Sequence, residues 1–104
     1  MEKLIRDGKV AVIYSPGFGA GWYTWNHVEY GHELVFDPIL AAYVDEGKTE
    51  EAQTYIAMRF PEAYAGGVED LQVTWVPVGT AFRVTEYDGN ESVEFKENDD
   101  WVIA

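Results

Sequence analysis

The sequence predicts an α+β fold: an N-terminal β-hairpin, then two helices, then a mostly antiparallel β-meander in one small domain. Three observations support this order. An Asp-Gly dipeptide separates two apolar runs near the start, two capped helical segments follow, and apolar residues alternate along the last third. Because 104 residues is the usual length of one domain, we expect residues 1–104 to share a single core.

The predicted hairpin pairs residues 3–6 with residues 9–15. Asp7 and Gly8 between them suit the positive φ angles of a type I′ turn. Both faces of the second strand are apolar, which is typical of a central strand that is covered on both sides. Pro16 ends the strand because it has no N–H to donate to a neighbour.

Two helices are predicted from their capping residues. Asp37 is a favourable N-cap, Pro38 suits the first helical position, and Gly47 ends the first helix. Thr49 is expected to cap the second helix, which Pro61 ends. The residues expected to face the core are Ile39, Leu40, Tyr43 and Val44 in the first helix and Ala52, Tyr55, Ile56 and Phe60 in the second.

The last third of the chain is predicted to be β-structure because its apolar residues alternate. A tight turn is expected at Asp88 and Gly89. The predicted strands are residues 71–76, 81–87, 92–96 and 101–103.

Negative charge dominates the composition, with 19 acidic and 7 basic residues and a net charge of −12. Nucleic-acid binding requires the opposite sign, and anionic membranes are disfavoured for the same reason. The charge favours a cation, a basic protein surface, or simply a solvated exterior. The sequence has no cysteine and no apolar run of membrane-spanning length, so we expect a soluble, cytoplasmic protein.

A glycine-rich stretch, SPGFGAG at residues 15–21, comes directly before the aromatic segment WYTWN. The spacing of Gly17, Gly19 and Gly21 differs from the dinucleotide fingerprint, and no P-loop lysine follows. Two interpretations remain open. The loop needs positive φ angles while Trp22 packs into the core, or its backbone amides are free to hold an anion.

The aromatic residues after this loop have two possible roles. Trp and Tyr contribute much of the binding energy at interfaces, but a small domain also needs their bulk in its core. If Trp22 and Trp25 share one helical face, Tyr23 turns towards solvent. The candidate ligand- or partner-binding residues are Ser15, Gly17, Gly19, Gly21, Tyr23, Trp25, Asn26 and His27, with Arg83 as a charge partner.

A metal site at His27, Glu29, His32 and Glu33 is left open. Their side chains suit a divalent cation, but their spacing is not that of a helical zinc motif and Gly31 is expected to interrupt a helix. Neither serine lies in a nucleophile elbow. The sequence therefore predicts no catalytic residue and no cofactor, and no metal ligand is assigned.

Two longer stretches resemble a known group of proteins. VAVIYSPGFGAGWYTWN near the start and VPVGTAFRVTEYDGNES near the end resemble small proteins found mainly in tailed bacteriophages. LVFDP at residues 34–38 and AGGVEDLQVTWVP are also similar, so the resemblance covers most of the chain. It brings no settled activity or catalytic residues. It implies a phage-encoded protein acting in the cytoplasm of an infected bacterium and, by analogy, an inhibitor of a host or anti-phage defence factor.

The leading functional hypothesis is a non-enzymatic binding protein that engages a basic host surface, for example a nucleic-acid-binding groove, by charge mimicry. The alternative is a protein that binds or sequesters a nucleotide signal through the glycine loop and the aromatic residues. A metal-dependent hydrolase comes third, and homo-oligomerisation stays open. The expected acidic interaction face consists of Asp45, Glu46, Glu50, Glu51, Glu94, Glu97, Asp99 and Asp100.

Overall fold

The computed structural model describes residues 2–17, 19, 21–26 and 30–95, and the strand predicted at residues 101–103 lies outside this part. The α+β class and the N-terminal hairpin are confirmed. The elements are β1 (Ile5–Arg6), β2 (Lys9–Tyr14), α1 (Gly31–Phe36), α2 (Pro38–Asp45), α3 (Thr49–Arg59), a short 3₁₀ helix (Val68–Asp70), β3 (Gln72–Pro77), β4 (Phe82–Tyr87) and β5 (Asn90–Phe95).

The strands form two antiparallel sheets. β2 is the central strand of a three-stranded sheet with the order β1-β2-β3, and β4 pairs only with β5 among the described strands. Val10 lies between Ile5 of β1 and Val76 of β3. β3 therefore returns beside the N-terminal hairpin instead of pairing with β4. Strand alternation in the sequence does not specify such pairing, because it depends on contacts far apart in the chain.

Both predicted Asp-Gly turns are confirmed by their backbone angles. Asp7 and Gly8 have φ angles of 51° and 75°, and Asp88 and Gly89 have φ angles of 48° and 84°. Two consecutive positive φ angles are the mark of the type I′ turn that matches the twist of paired strands.

One face of the three-stranded sheet packs against α2 and α3. Ala11 and Ile13 of β2 are fully buried there. Trp22 is 1% exposed, packs edge-on against Phe60 and donates its indole N–H to the carbonyl oxygen of Leu34 at 2.7 Å. Of the two roles left open for the aromatic residues, Trp22 therefore has the one in the core.

The opposite face of the sheet is covered by α1 and by the β4–β5 hairpin. Val12 of β2 packs with Val35 of α1 and Val76 of β3. Phe82 and Val93 of the hairpin pack against the same cluster. β2 is therefore covered on both faces, as its apolar pattern predicted.

The contact face of α2 differs from the prediction at one position. Leu40 and Ala41 are fully buried and Val44 is partly buried, whereas Ile39 is 52% exposed. Successive helical residues are separated by about 100°, so a face centred on the buried residues turns Ile39 towards solvent.

The N-cap of α3 is also one residue earlier than predicted. Thr49 is the first helical residue, and Lys48 occupies the capping position without a side-chain hydrogen bond. The carbonyl oxygen of Lys48 already accepts from the N–H of Ala52 at 3.0 Å, so helical bonding starts there.

Asp37 joins α2 to α3. Its carboxylate accepts from the N–H of Leu40 at 2.9 Å, which confirms the predicted cap, and from the Tyr55 hydroxyl at 2.8 Å. Burial, and then the hydrogen bond to Asp37, raise the pKa of Tyr55 to about 12. Among the described residues, no helix combines the length and apolarity that a bilayer crossing requires.

We expect Tyr55→Phe to lower the free energy of unfolding by about 1 kcal/mol near neutral pH, because the buried carboxylate of Asp37 loses a partly buried donor. Since folding raises the pKa of Tyr55 from 10.0 to about 12, this stabilisation is complete below pH 10 and is lost as the pH rises towards 12. Urea unfolding of both proteins across this range measures the effect.

The matched control is Tyr14→Phe, which removes an exposed hydrogen bond to Gln72. We expect it to change stability by less than about 0.5 kcal/mol. A difference between wild type and Tyr55→Phe that stays constant from pH 8 to pH 12 would contradict the role given to the Tyr55 hydroxyl.

Candidate functional site

The glycine loop is held by the tip of the β4–β5 hairpin. Three of its backbone N–H groups donate to three consecutive residues of the hairpin turn. The pairs are Gly17 N–H to Asn90 Oδ1 at 2.8 Å, Gly19 N–H to the Asp88 carbonyl oxygen at 2.5 Å and Gly21 N–H to the Gly89 carbonyl oxygen at 2.7 Å. Amides at these positions are what a phosphate would need. Because they already have acceptors within the chain, the loop connects two parts of the fold.

The predicted need for positive φ angles in the loop is confirmed. The φ angles of Gly17, Gly19 and Gly21 are 131°, 80° and 52°. Residues with a side chain rarely adopt such angles. The glycines allow the chain to reverse direction while its amides face the hairpin.

Glu91 lies behind the loop and is 1% exposed. Its Oε1 atom accepts from the backbone N–H of Ser15 at 3.0 Å and from the Ser15 hydroxyl at 3.1 Å. Its Oε2 atom accepts from the N–H of Tyr23 at 2.8 Å, the N–H of Thr24 at 2.6 Å and the Thr24 hydroxyl at 2.8 Å. We call these four residues the Glu91 cluster.

The donors to Glu91 are all neutral, and among the described residues no lysine, arginine or histidine lies within ion-pair distance of it. A buried carboxylate is tolerated only when hydrogen bonds replace its water. Here five donors do so, and bonds to a charged acceptor are stronger than bonds between neutral groups. The cluster therefore fixes the loop and the aromatic segment onto β5.

Ser15, a predicted ligand contact, is fully buried. Its hydroxyl donates to Glu91, and its oxygen accepts from the backbone N–H of Trp22 at 2.8 Å. The side chain is inaccessible and satisfied within the protein. Ser15 therefore has a structural role, and its side chain does not contact a ligand as predicted.

The aromatic segment forms turns instead of a helix, so Trp22 and Trp25 do not share a face. Trp22 is buried, whereas Trp25 is 41% exposed and packs on the ring of Tyr64 at 5.4 Å between centroids. Tyr23 is half-buried and stacks on His32 at 6.4 Å. The pairing with Tyr64 was not predicted because it joins segments that are far apart in the sequence.

Asn26 holds the loop after α3 against the aromatic segment. Its side-chain oxygen accepts from the N–H of Tyr64 at 2.6 Å, and its amide nitrogen donates to the Tyr64 carbonyl oxygen at 3.2 Å. The same amide nitrogen also donates to the carbonyl oxygen of Trp22. Asn26 is therefore a structural bridge. His27, predicted beside it, lies outside the described residues.

The candidate metal ligands are only partly described, because His27 and Glu29 lie outside the described residues. The other two are in the first turn of α1, which begins at Gly31 and is not interrupted by it. Glu33 pairs with Arg59 at 3.1 Å, and the ring of His32 stacks on Tyr23. Within the described ranges, no three His, Asp or Glu side chains are grouped so that they could hold a metal.

Arg83 lies on β4 and pairs with Glu94 of β5 at 3.0 Å. Asp88 at the hairpin tip is five positions further along the chain, a distance of roughly 17 Å along an extended strand. The structure therefore does not bring Arg83 to the glycine loop as a charge partner.

The predicted acidic face is divided. Asp45 and Glu46 at the end of α2 lie next to Glu50 and Glu51 in the first turn of α3, and all four are exposed. We call these four residues the helical acidic surface. Glu94 belongs to the hairpin on the opposite side of the three-stranded sheet. The predicted residues Glu97, Asp99 and Asp100 lie outside the described part of the chain.

The charges of the helical acidic surface are unequally neutralised. Asp45 pairs with Arg6 at 3.0 Å, and Glu46 pairs with Lys48 at 3.4 Å. In the part of the chain that the structure describes, Glu50 and Glu51 form no ion pair. The uncompensated charge is therefore at the start of α3.

A surface depression of about 360 Å³ adjoins these two acids. Met58, one of its lining residues, is 79% exposed. The sequence indicated that Met58 could be exposed. It lies on the same face of the helix as Glu50 and Thr54, and an apolar residue is unusual on a face that is otherwise polar. We call this depression the Met58 depression; its lining residues are Tyr43, Glu50, Glu51, Thr54, Tyr55 and Met58.

Comparisons of the chain with protein-family models, with curated proteins and with solved structures gave no significant match. The resemblance to tailed-phage proteins therefore stays a prediction.

We expect Glu91→Gln to lower the free energy of unfolding by about 3 kcal/mol, because an amide nitrogen replaces an acceptor among buried donors. Urea unfolding gives the stability change, and hydrogen exchange at the amides of Tyr23 and Thr24 reports local opening. The control is Glu94→Gln on the same strand, which loses only an exposed ion pair and is expected to cost less than about 1 kcal/mol. Equal losses in the two variants would contradict the role of the Glu91 cluster.

Gly21→Ala and Gly19→Ala separate backbone strain from side-chain overlap. Both positions have positive φ angles, so backbone strain is expected to cost each variant about 1 kcal/mol of stability. A Cβ atom at Gly21 would also lie 2.3 Å from the Trp25 ring, whereas a Cβ at Gly19 has no heavy atom within 4 Å. We therefore expect only Gly21→Ala to shift the indole NMR signal of Trp25. The same shift in Gly19→Ala would rule out the overlap as its cause.

Proposed function

We propose that this protein is a non-enzymatic acidic binding protein whose helical acidic surface engages a basic surface on a partner protein. The observation that supports this proposal is the position of the exposed Met58 beside the uncompensated acids Glu50 and Glu51. An apolar patch bordered by charged groups is typical of a protein interface.

The acids alone have an ordinary explanation. Glu50 and Glu51 occupy the first turn of α3, where the positive end of the helix dipole stabilises negative charge. Helix stability does not explain why Met58 is 79% exposed at the other end of the same depression. Binding of a partner accounts for both features, because it covers the apolar side chain and neutralises the acids.

The charge of the whole chain restricts the partner. The net charge is −12, and Arg6, Lys48, Arg59 and Arg83 are already engaged in ion pairs with acids of the same chain. Such a field attracts basic proteins and repels nucleic acids, anionic membranes and further copies of the protein. Association with a basic partner should therefore be fast and sensitive to salt.

The resemblance to tailed-phage proteins gives the proposal a biological setting. In that setting the partner is a host protein or an anti-phage defence factor in the bacterial cytoplasm, and covering its basic surface inhibits it. The setting depends on the resemblance alone, whereas the choice of surface depends on the geometry.

The contacts of the glycine loop give less support to nucleotide binding than the sequence alone did. The amides of Gly17, Gly19 and Gly21 bond to the hairpin turn, and Arg83 pairs with Glu94 away from the loop. The features that were expected to hold a phosphate are therefore engaged within the protein.

We expect binding to a basic partner to weaken at least about tenfold as salt rises from about 0.1 M to about 1 M, because the Debye length falls from ~10 Å to ~3 Å. The double variant Glu50→Gln/Glu51→Gln should weaken binding by about five- to tenfold at low salt. Capture from a bacterial lysate at both salt concentrations, followed by titration of the purified captured protein, provides the measurement.

The matched control is Glu62→Gln/Glu69→Gln, which removes two exposed acids beyond the C-terminal end of α3. It produces the same change in net charge and should leave affinity within about twofold of wild type. Binding that is independent of salt contradicts the proposed function. Equal weakening by both double variants contradicts the assignment of the surface.

A further inference from the structure

We infer that the Met58 depression receives one apolar side chain from an α-helical segment of the partner, and that lysines or arginines on that segment pair with Glu50 and Glu51. This inference rests on the proposed function and specifies the partner segment. It concerns shape and apolar contact, whereas the proposed function depends on charge.

The walls of the depression are partly fixed and partly adaptable. Tyr43 and Tyr55 pack edge to face with 6.2 Å between ring centroids, and the hydrogen bond from the Tyr55 hydroxyl to Asp37 fixes that ring. Met58, another lining residue, is a flexible thioether that adjusts to the shape of an inserted group. A volume of about 360 Å³ leaves room for an aromatic or branched aliphatic side chain.

The rim of the depression is acidic, because Glu50 and Glu51 also line it. A partner whose apolar residue enters here places its neighbouring side chains against these carboxylates. Lysine and arginine suit that position because their apolar stems cover the rim while their charged ends meet the acids. The partner segment therefore contains one apolar residue with lysine or arginine residues close to it.

Spacing along α3 favours a helical partner segment. Glu50, Thr54 and Met58 follow one another at intervals of four residues, or about 6 Å along the helix. Glu50 is therefore two turns, or about 12 Å, from Met58. A second helix repeats this spacing along one face, so an apolar residue and a basic residue two turns away meet Met58 and the acids together. An extended strand would need an unpaired sheet edge to bond to, and α3 offers none because its backbone is helical.

A second copy of this chain is a poor occupant. Two molecules with a charge of −12 repel each other, and four of the basic side chains are held in ion pairs with their own acids. A membrane surface is disfavoured because Glu50 and Glu51 would face anionic headgroups. Charge complementarity therefore selects a basic protein segment.

The test uses two synthetic peptides of about 18 residues, long enough to form an isolated helix. Both carry the same lysines and arginines. One also has leucines on the same helical face, two turns from a basic residue, and the other has glutamine at those positions. Fluorescence anisotropy at low salt gives the affinity of the intact protein for each peptide. We expect wild type to bind the leucine peptide about tenfold more tightly, because one buried apolar side chain provides that difference.

Met58→Ser is expected to reduce the preference for the leucine peptide to about twofold or less while leaving weak, salt-dependent binding of both peptides. The substitution keeps the core intact because Met58 is 79% exposed. The matched control is Val78→Ser, which removes another exposed apolar side chain, on the β3–β4 turn, and should keep the tenfold preference. Glu50→Gln/Glu51→Gln should weaken binding of both peptides and preserve the preference.

The outcomes separate the inference from the proposed function. Equal affinity of wild type for the two peptides overturns the inference, and so does an unchanged preference in Met58→Ser, while salt-dependent binding still supports the proposed function. No binding of either peptide at low salt counts against both. Dimerisation in sedimentation experiments that Met58→Ser abolishes would assign the depression to a second copy and overturn the inference.

Discussion

The arrangement of this protein depends on the burial of one carboxylate, that of Glu91, among five neutral donors. Each donor belongs to the glycine loop or to the aromatic segment, and the acceptor belongs to β5. Because a buried charge must keep its hydrogen bonds, the loop, the aromatic segment and the hairpin have to hold one arrangement relative to each other. Trp22 in the core and Trp25 at the surface follow from this constraint.

The constraint also divides the molecule by role. The side of the sheet that carries the hairpin and the glycine loop satisfies its polar groups internally, through Glu91, Asn90 and the turn carbonyl groups. The side that carries α2 and α3 exposes acids and a methionine without covering them. One side of the sheet thus has polar groups that are hydrogen-bonded within the protein, and the other has side chains exposed to solvent. This division suits the proposed binding function, in which a supported scaffold presents an exposed surface.

Features fixed by local chemistry could be predicted from the sequence. The two Asp-Gly turns, the Asp37 cap and the apolar faces of β2 depend on residues that are neighbours in the chain. The role of Glu91 could not be predicted, because its partners lie 67 to 76 residues away and nothing near it in the sequence distinguishes it from 18 other acids. The contact between Trp25 and Tyr64 could not be predicted for the same reason. A chain reversal was one of the two interpretations of the glycine loop that the sequence allowed. The acceptors of its amides could not be predicted, because they lie in the distant β4–β5 hairpin.

The attachment of the hairpin tip to the glycine loop has a consequence for the order of folding. The bonds between Ser15 and Glu91 close a separation of 76 residues, most of the length of the chain. Closing such a span costs more entropy than forming the helices or either tight turn, and contacts of this kind slow folding. A chain emerging from the ribosome can form β1, β2 and the helices early, but Glu91 must be made before the aromatic segment acquires its final position. The glycine loop and the aromatic segment therefore reach their native geometry last, although they are synthesised before the helices.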